Sequence, residues 1–251
     1  MKIAIITGVT SGLGLEFLKN VSSVHPELDS IWVIARRASR LEEIAKKYDK
    51  VRAIALDLCE VESINKIEEM LKNEKPDIRV LINNAGFGEL GNFYENDHRK
   101  QMAMIDLNNK ALTVMCTLCA RYMSAGAYVI NVASIAAFAP NPRMAVYCST
   151  KAYVKSFTRC MRYELKSKKI NALAVCPGPM STEFLDVAGI SGGKSKTFET
   201  LPYTDPAFVA KKAVRYAING RGVYTPRLFY KFYRVMAKLL PHSIVMNFSK
   251  T

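Results

Sequence analysis

The sequence has few histidines and no long hydrophobic run. Its three histidines, His25, His98 and His242, are far apart in the chain, so they form neither a metal-ligand spacing nor a Ser-His-Asp arrangement. No apolar run reaches about 18 residues, and we therefore expect no transmembrane helix. The six cysteines are scattered without the spacing of a disulfide framework. These absences argue against a metal site and against a disulfide-bonded secreted domain.

Two of the cysteines, Cys116 and Cys119, have the C-x-x-C spacing of a redox centre or a metal half-site. They lie in a long helical pattern with Leu112, Met115 and Tyr122. In such a pattern cysteine acts as a small apolar residue. The pattern therefore favours core packing for both thiols over redox or metal chemistry.

Length and composition are those of one α/β domain, because 251 residues with 49% hydrophobic content can bury a sizeable core. The formal net charge of +14 invites a nucleic-acid interpretation. However, the basic residues are spread along the chain and no nucleic-acid recognition motif accompanies them. A generally basic surface explains the charge, and cofactor phosphates, an acidic substrate or a membrane surface could each use part of it. We expect no nucleic-acid partner.

Apolar runs alternate with helical patterns along the chain, which predicts a doubly wound parallel sheet of Rossmann type in a single α/β domain. About seven strands are predicted, near residues 2–7, 31–35, 51–56, 78–83, 127–132, 170–176 and 222–225. Helices are predicted between them, including 60–72, a stretch near 98–124, and 147–168. The least regular stretch, 178–205, is where a ligand lid is expected; it holds Gly189, Gly192, Gly193 and Pro202.

A glycine-rich loop directly follows the first predicted strand. Ile3 to Ile6 is a buried apolar run, Thr7 to Gly14 has the sequence T-G-V-T-S-G-L-G, and a helical pattern follows through Leu18. Glycines let the backbone approach a pyrophosphate, and a helix N-terminus supplies N–H donors, so this order predicts a dinucleotide site. The apolar run is too short for a leader peptide, and we therefore expect a cytoplasmic protein.

Tyr147 and Lys151 are four residues apart, so on a helix the phenol and the ammonium project from one face. A cation beside a phenol favours the phenolate and lowers its pKa. A general acid–base group works best when its pKa approaches the operating pH. Such a pair also occurs on ordinary helix surfaces, and the motifs that accompany it decide between the two interpretations.

Six motifs, in order, resemble those of the short-chain dehydrogenase/reductase superfamily. They are Thr7–Gly14, Asn83–Gly86, Asn108, Ser134, the pair Tyr147 and Lys151, and Pro177-Gly178 with Thr182. The resemblance runs from residue 2 to about 225. It implies a nucleotide-binding and catalytic Rossmann domain over 1–225, with 226–251 as a C-terminal basic amphipathic helix and tail of the same domain. Residues 138–147 and 176–184 resemble the bacterial DltE-like short-chain oxidoreductases, which are related to hydroxysteroid and ketoacyl reductases.

The resemblance implies a role for each catalytic residue. Tyr147 exchanges a proton with the substrate oxygen as the hydride moves, and Lys151 lowers the pKa of Tyr147 and binds the nicotinamide ribose. Ser134 donates a hydrogen bond to the substrate oxygen, and Asn108 holds a water that links Lys151 to solvent. No metal is implied. The cofactor-binding set is Gly8, Thr10, Ser11, Gly12, Leu13, Gly14, Arg36, Arg37, Asp57, Leu58, Asn84, Ala85, Gly86, Tyr147, Lys151, Pro177, Gly178 and Thr182.

The end of the second predicted strand favours NADP over NAD. Ala35 occupies the place where an acidic residue would bind the adenosine ribose hydroxyls, and Arg36 and Arg37 follow it. Guanidinium groups form charge-assisted hydrogen bonds to phosphate, so the two arginines predict a contact to the 2′-phosphate. The alternative is that they belong to a solvated loop. Asp57, after the third strand, matches the family position that contacts adenine.

The C-terminal region has no acidic residue from Gly220 onward, and its basic residues are Arg221, Arg227, Lys231, Arg234, Lys238 and Lys250. Apolar residues recur there at helical spacing until Pro241: Leu228, Phe229, Phe232, Val235, Met236, Leu239 and Leu240. Three uses of this helix are open. It covers the pocket or a neighbouring subunit of a homodimer or homotetramer, which the resemblance favours; it lies on an anionic membrane; or it packs against its own core.

The motifs together predict an NADP(H)-dependent oxidoreductase that transfers a hydride between nicotinamide and a secondary alcohol or ketone. The alternative is a catalytically silent dinucleotide-binding regulatory or scaffold protein, which we would expect to lack the Tyr147 and Lys151 pair. A hydrophobic substrate (steroid-, bile-acid- or acyl-like) is favoured over a small carbonyl or sugar because the candidate pocket residues are apolar. They are Phe138, Pro140, Pro142, Met144, Met180, Phe184, Leu185 and Phe198.

Overall fold

Seven strands pair in parallel to form one sheet in the order β3-β2-β1-β4-β5-β6-β7. The computed structural model describes residues 1–190 and 195–248. The strands are Lys2–Thr7 (β1), Ser30–Ala35 (β2), Val51–Ala55 (β3), Asp77–Asn83 (β4), Tyr128–Val132 (β5), Asn171–Val175 (β6) and Val223–Tyr224 (β7). Every predicted strand is present, and no bound differs from its prediction by more than one residue. The predicted α/β doubly wound sheet is confirmed.

Helices lie between the strands and after the last of them. They are Gly12–Val24 (α1), Ala38–Ala45 (α2), Val61–Glu74 (α3), His98–Ile105 (α4), Leu112–Ala120 (α5), Ala145–Glu164 (α6), Glu183–Val187 (α7), Lys196–Thr200 (α8), Pro206–Ile218 (α9), Leu228–Leu239 (α10) and His242–Phe248 (α11). None of the helices in the described ranges has the length and apolar character that a bilayer-crossing helix requires.

The strands are apolar because helices cover the sheet on both sides. In β1, Ile3 and Ile5 pack in a layer that holds α3, α5 and α6 residues, whereas Ala4 and Ile6 pack in the opposite layer with α1, α2 and α9. All four side chains are fully buried. Near-continuous apolar strands are what a parallel sheet with two covered faces requires.

The chain reverses its direction of winding between β1 and β4. From β1 it proceeds through β2 and β3 to one edge, and from β4 it proceeds through β5 to β7 at the other edge. Such a switch point leaves a crevice at the carboxyl ends of the two central strands. The Thr7 hydroxyl accepts hydrogen bonds from the backbone N–H groups of Asn84 and Ala85, both at 3.1 Å, which ties the loops after β1 and β4 together.

Several predicted segments differ in the structure. The predicted helix 147–168 is Ala145–Glu164, which ends four residues earlier, and the predicted helix 60–72 is Val61–Glu74. The helical stretch near 98–124 is α4 and α5 joined by a π-helix over Asp106–Ala111, in which Asn108 accepts a hydrogen bond from the Phe87 N–H. The irregular stretch 178–205 contains the short helices α7 and α8. Gly192 and Gly193 of that stretch, and Lys250 of the C-terminal tail, lie outside the described residues.

The C-x-x-C pair belongs to the core, as predicted. Cys116 and Cys119 are both buried in the layer that holds α5. Cys116 Sγ accepts a hydrogen bond from Asn83 Nδ2 at 3.1 Å, and burial raises the pKa of its thiol to about 12. Within the described ranges no group of histidine, cysteine and carboxylate side chains is arranged to hold a metal ion.

Candidate active site

A cavity of about 1100 Å³ occupies the crevice at the carboxyl ends of the strands. It brings together most of the residues that the sequence singled out. Those that line it are Gly8, Thr10, Ser11, Gly12, Leu13, Arg36, Arg37, Asp57, Leu58, Asn84, Ala85, Gly86, Ser134, Tyr147, Lys151, Pro177, Gly178 and Thr182. Gly14 and Asn108 are the two site residues that do not line the cavity, since both are buried in its supporting structure.

The loop after β1 has a shape that its glycines make possible. Gly8 has a φ of +70°, and a Cβ at this position would lie 2.8 Å from the Cα of Ala85. A Cβ on Gly14 would lie 2.1 Å from the carbonyl oxygen of Gly8. Side chains at either position would therefore push the loop away from its neighbour.

The N-terminus of α1 opens into the cavity without a side-chain cap. Ser11 is the residue at its N-cap, but its hydroxyl caps no backbone N–H and instead accepts a hydrogen bond from Arg37 Nη2 at 3.2 Å. Gly12 and Leu13, the first residues of the helix, line the cavity. Free N–H donors at the positive end of a helix dipole fit the pyrophosphate of a dinucleotide.

Two arginine side chains, Arg36 and Arg37, line the cavity near the end of β2. Arg36 is 72% exposed, with its Nη1 3.5 Å from Asp57 Oδ2. Arg37 donates to Thr10 Oγ1 from Nε at 3.1 Å and from Nη2 at 2.6 Å. It also donates from Nη1 to Glu183 Oε2 at 2.8 Å. The loop after β2 is thus fixed to both the glycine-rich loop and α7.

Glu183 and Arg40 are residues of this cluster that the sequence analysis did not identify. Arg40 Nη1 lies 2.5 Å from Glu183 Oε1, between residues 143 positions apart in the chain. The hydrogen bonds from Arg40 and Arg37 lower the pKa of the Glu183 carboxyl to about 2. The only sequence signal was the place of Glu183 directly after Thr182, and no pattern links it to Arg40.

Tyr147, Lys151 and Ser134 converge on one wall of the cavity. Tyr147 and Lys151 lie one turn apart on α6, and Lys151 Nζ lies 5.8 Å from the centre of the Tyr147 ring. Lys151 Nζ donates to the carbonyl oxygen of Val132 at 2.9 Å. Ser134 follows β5, where its Oγ accepts from the Ala136 N–H at 3.1 Å, and it also hydrogen-bonds with Tyr147. All three side chains are buried.

Burial has the largest effect on the pKa values of Tyr147 and Lys151. It raises the pKa of Tyr147 above the ordinary value, and the hydrogen bond with Ser134 lowers it only in part. Burial also lowers the pKa of Lys151 to about 8. In the protein alone burial therefore outweighs the hydrogen bond with Ser134 at Tyr147, and the expected effect of Lys151 on the pKa of Tyr147 stays a prediction. Desolvation disfavours the charged form of both groups, and the ammonium is directed to the Val132 carbonyl.

Asn108 supports this wall from behind. Its Nδ2 donates to the Phe87 carbonyl at 2.9 Å and to Thr150 Oγ1 at 3.1 Å, and its Oδ1 accepts from the Phe87 N–H at 3.1 Å. The loop that it holds carries Gly86, where a Cβ would lie 2.7 Å from Asn108 Oδ1 and 3.4 Å from Lys151 Nζ. Asn108 thus fixes the backbone beside Lys151, and both hydrogens of its amide are used by the protein.

The rest of the cavity has an apolar lining that differs in part from the prediction. Five of the predicted residues line it: Met144, Met180, Phe184, Leu185 and Phe198. Phe138, Pro140 and Pro142 do not, which corrects their prediction; Phe138 instead packs against Tyr233, with ring centres 6.3 Å apart. The C-terminal helices contribute lining residues in their place: Phe229, Tyr230, Phe232, Tyr233, Met236, Ala237, Leu240 and Val245.

The first turn of α10 packs directly on the loop after β6. A Cβ on Gly178 would lie 2.3 Å from the ring of Tyr230, whose hydroxyl donates to the Pro202 carbonyl at 2.8 Å. Tyr230 is fully buried. The inner side of the C-terminal helix therefore covers the cavity, which is one of the three uses that its sequence left open.

Comparison with known sequences gives a family match over most of the chain. A family model described as short chain dehydrogenase matches residues 2–189. An uncharacterized oxidoreductase of Staphylococcus saprophyticus is 31% identical over 224 residues, which cover 87% of this chain and 90% of the relative. An NADP-dependent 3-hydroxy acid dehydrogenase of Schizosaccharomyces pombe is 33% identical over 214 residues, which cover 82% of this chain and 81% of that relative.

Solved structures share the fold at lower sequence identity. A short-chain dehydrogenase from Sphingobium yanoikuyae in complex with NADPH has a TM-score of 0.80 at 23% identity, covering 98% of this chain and 96% of that chain. A short-chain dehydrogenase/reductase from Burkholderia phymatum in complex with NAD has a TM-score of 0.81 at 17% identity, covering 100% of this chain and 95% of that chain. The solved structures agree with the fold, and the family match with the 31% identical relative establishes that the chain belongs to the short-chain dehydrogenase/reductase family of nicotinamide-dependent oxidoreductases.

Proposed function

We propose that the protein is an NADP(H)-dependent oxidoreductase that transfers a hydride between nicotinamide and a secondary alcohol or ketone on a hydrophobic substrate. The observation that carries the proposal is the convergence of Ser134, Tyr147 and Lys151 on the cavity that the glycine-rich loop also lines. A protein that only bound the dinucleotide would not need a buried phenol and a buried ammonium one helical turn apart.

Each catalytic side chain has one task in this proposal. The nicotinamide, when bound, supplies or accepts the hydride. Tyr147 gives the proton to the carbonyl oxygen during reduction and takes it from the hydroxyl during oxidation. Ser134, which hydrogen-bonds with the Tyr147 hydroxyl, donates a hydrogen bond to the same substrate oxygen and stabilises the negative charge that develops on it.

Lys151 and Asn108 support that proton transfer. Lys151 uses one of its three donors on the Val132 carbonyl, so two remain for the ribose hydroxyls of the nicotinamide half. Asn108 positions the loop beside Lys151, and a water on its main-chain carbonyl or on Oδ1 connects Lys151 to solvent. Asn108 is accordingly a positioning residue in this scheme.

The residues around β2 favour NADP(H) over NAD(H). Ala35 leaves no carboxylate for the adenosine ribose, and Arg36, Arg37 and Arg40 supply guanidinium groups near the same strand end. Guanidinium groups bind phosphate well. Asp57 and Leu58 line the cavity beside them, where adenine binds in our proposal. The solved relatives carry NADPH in one case and NAD in another, so the preference rests on the residues of this chain.

The apolar lining supports a hydrophobic substrate. Phe184 packs against Tyr147 with ring centres 5.7 Å apart, which brings an apolar surface to the reacting phenol. Residues of α7, α8 and α10 extend that surface. A site with an apolar wall and few polar groups suits a steroid-, bile-acid- or acyl-like ketone or alcohol, in keeping with the DltE-like, hydroxysteroid and ketoacyl reductase resemblance.

The proposal also covers the organisation of the protein. Residues 1–225 bind the cofactor and catalyse the reaction, and 226–251 belong to the same domain, which is supported by the α10 residues in the cavity wall. We further propose a cytoplasmic location and a homodimer or homotetramer, whose native mass light scattering would measure. A monomeric mass would refute the assembly and leave the reaction untouched.

The experiment that tests the reaction is an assay of hydride transfer. NADPH and NADH are each offered with steroid ketones, acyl thioesters and small carbonyls, and the reverse direction with the matching alcohols and a 3-hydroxy acid. We expect NADPH to be consumed fastest with a large apolar ketone. Cofactor binding by nicotinamide fluorescence without turnover of any substrate would instead identify the catalytically silent binding protein, and an absence of binding would reject both.

A further inference from the structure

Helix α10 has two parallel stripes of side chains on its outer surface. Leu228, Phe232, Val235 and Leu239 recur at positions i, i+4, i+7 and i+11, which places them on one face of the helix. Their exposed fractions are 80%, 65%, 54% and 70%. The other stripe is shifted by one residue and is basic: Arg227, Lys231, Arg234 and Lys238. An apolar face therefore runs beside a cationic one along the whole helix.

The apolar stripe is not the face by which α10 packs most closely on the protein, although one of its residues, Phe232, also reaches the cavity lining. That face carries Tyr230 and Ala237, both buried, with Tyr230 against Gly178. Four large apolar side chains that are more than half exposed in a row form a patch of the kind that marks an interaction surface. The outer face is therefore a candidate surface for binding something other than the described residues of this chain.

The charge beside the patch limits what that occupant can be. No acidic residue occurs after Asp205, and within residues 1–190 and 195–248 none of the four basic side chains forms an ion pair with a carboxylate. Arg227 bonds to Thr204 Oγ1 at 3.3 Å and to the Tyr203 carbonyl instead. The Arg234 guanidinium lies 5.9 Å from the Phe138 ring centre. Lys231 and Lys238 are exposed.

A second copy of the same face is a poor occupant. In a symmetric dimer the same patch meets itself, so the two basic stripes would approach each other with no carboxylate between them. The surface of an anionic bilayer satisfies both stripes, because acyl chains receive the apolar side chains and lipid phosphates receive the cations.

We propose that α10 docks the protein on the surface of an anionic lipid bilayer. Leu228, Phe232, Val235 and Leu239 enter the boundary between headgroups and acyl chains, and the basic stripe contacts the phosphates. Phe229, Phe232, Met236 and Leu240 of the same helix line the cavity, so Phe232 belongs both to the stripe and to the cavity wall. A last step rests on the proposed function: an apolar substrate passes from the bilayer into the cavity along α10.

Vesicle co-sedimentation of the full chain tests the docking without any measurement of turnover. The probes are vesicles of phosphatidylcholine alone and of phosphatidylcholine with phosphatidylglycerol. We expect the protein to sediment with the anionic vesicles, to remain in the supernatant with neutral ones, and to be released as salt rises. Failure to sediment with anionic vesicles overturns the proposal.

Two α10 variants separate the contributions of the stripes. Leu228→Gln/Leu239→Gln removes apolar surface outside the cavity lining, and Lys231→Gln/Lys238→Gln removes charge. Each variant is expected to have a vesicle partition coefficient at least about tenfold lower than that of the wild type. The control for the apolar variant is Val61→Gln/Tyr163→Gln, which changes exposed side chains on α3 and α6. The control for the charge variant is Lys46→Gln/Lys47→Gln, which changes exposed side chains just after α2. They are expected to sediment as the wild type does.

Other outcomes assign the face differently. Sedimentation of both α10 variants at the wild-type level would overturn the proposal. A native mass that falls in Leu228→Gln/Leu239→Gln, with no vesicle binding by the wild type, would assign the face to a second copy. Thermal unfolding of each variant at the wild-type temperature, together with unchanged turnover of a water-soluble ketone, shows that the comparison is made between folded proteins.

Discussion

The carboxylate of Glu183 lies 2.8 Å from the guanidinium of Arg37, between residues 146 positions apart in the chain. The contact joins the loop after β2, where we expect the 2′-phosphate, to the first turn of α7. Arg40 holds the other oxygen of the same carboxylate at 2.5 Å. If the proposed NADP(H) preference is correct, this carboxylate competes with the 2′-phosphate for donors of Arg37 and Arg40.

We predict that Glu183→Gln tightens the binding of NADP(H) and leaves that of NAD(H) nearly unchanged. The substitution removes a negative charge that competes with the 2′-phosphate for Arg37 and Arg40. The gain is expected to reach about fivefold, the range of an exposed ion pair. Nicotinamide fluorescence titration measures it, with Asp186→Asn on the same helix as control. An equal change for both cofactors, or weaker NADP(H) binding, would show that Glu183 does not compete with the phosphate.

Arg36→Ala is expected to weaken the binding of NADP(H) far more than that of NAD(H). Only NADP(H) carries the 2′-phosphate, and the Arg36 side chain is free enough to reach it at 72% exposure. Because such an exposed contact is screened by ions, the difference between the cofactors should shrink as salt rises. If both affinities fall equally, Arg36 supports the loop through Asp57 and not the phosphate.

The buried ammonium of Lys151 predicts a pH dependence of stability. Burial lowers its pKa from 10.5 to about 8, so between these pH values the unfolded chain binds more protons than the folded protein. The stability of the wild type should therefore rise with pH in this window relative to Lys151→Met. Urea unfolding without cofactor, from about pH 7 to about pH 10, measures the difference, with the exposed Lys168→Met as control. A difference that stays constant with pH would contradict the assigned protonation.

The contact between Gly178 and Tyr230 predicts an effect of a single methyl group. A Cβ on Gly178 would meet the Tyr230 ring at 2.3 Å, so Gly178→Ala is expected to destabilise the fold by about 1–3 kcal/mol. Gly222→Ala is the matched control, because its Cβ would meet the flexible Arg162 side chain at 3.0 Å. Urea unfolding compares the two variants. Equal stability would show that α10 does not pack tightly on the loop after β6.

The strands could be predicted from the sequence to within one residue because most of them are short, largely buried apolar runs. The π-helix at Asp106–Ala111 was not predicted; its Asn108 bonds Phe87, which is 21 residues away. Helices α7 and α8 are five residues each, which is too short for a helical period to be recognised. Local patterns predict local structure, and these three elements depend on contacts or lengths that the patterns do not record.

The same distinction applies to the site. Thr7–Gly14, Ser134 and the pair Tyr147 and Lys151 were identified because each motif is continuous in the sequence. The contact between Glu183 and Arg40 was not identified, because it joins distant segments. The burial that raises the pKa of Tyr147 was not predicted either, since a sequence gives the neighbouring cation but not the depth of burial.

Single-turnover hydride transfer in wild type and Tyr147→Phe measures what the phenol hydroxyl contributes to the proposed reaction. With NADPH bound and an apolar ketone added, removal of the phenol hydroxyl is expected to slow turnover by at least about a thousandfold. The affinity for NADPH should stay nearly the same, because the ring that packs against Phe184 is kept. Near-normal turnover in Tyr147→Phe would contradict the assignment of Tyr147 as the proton donor, and with it the proposed mechanism.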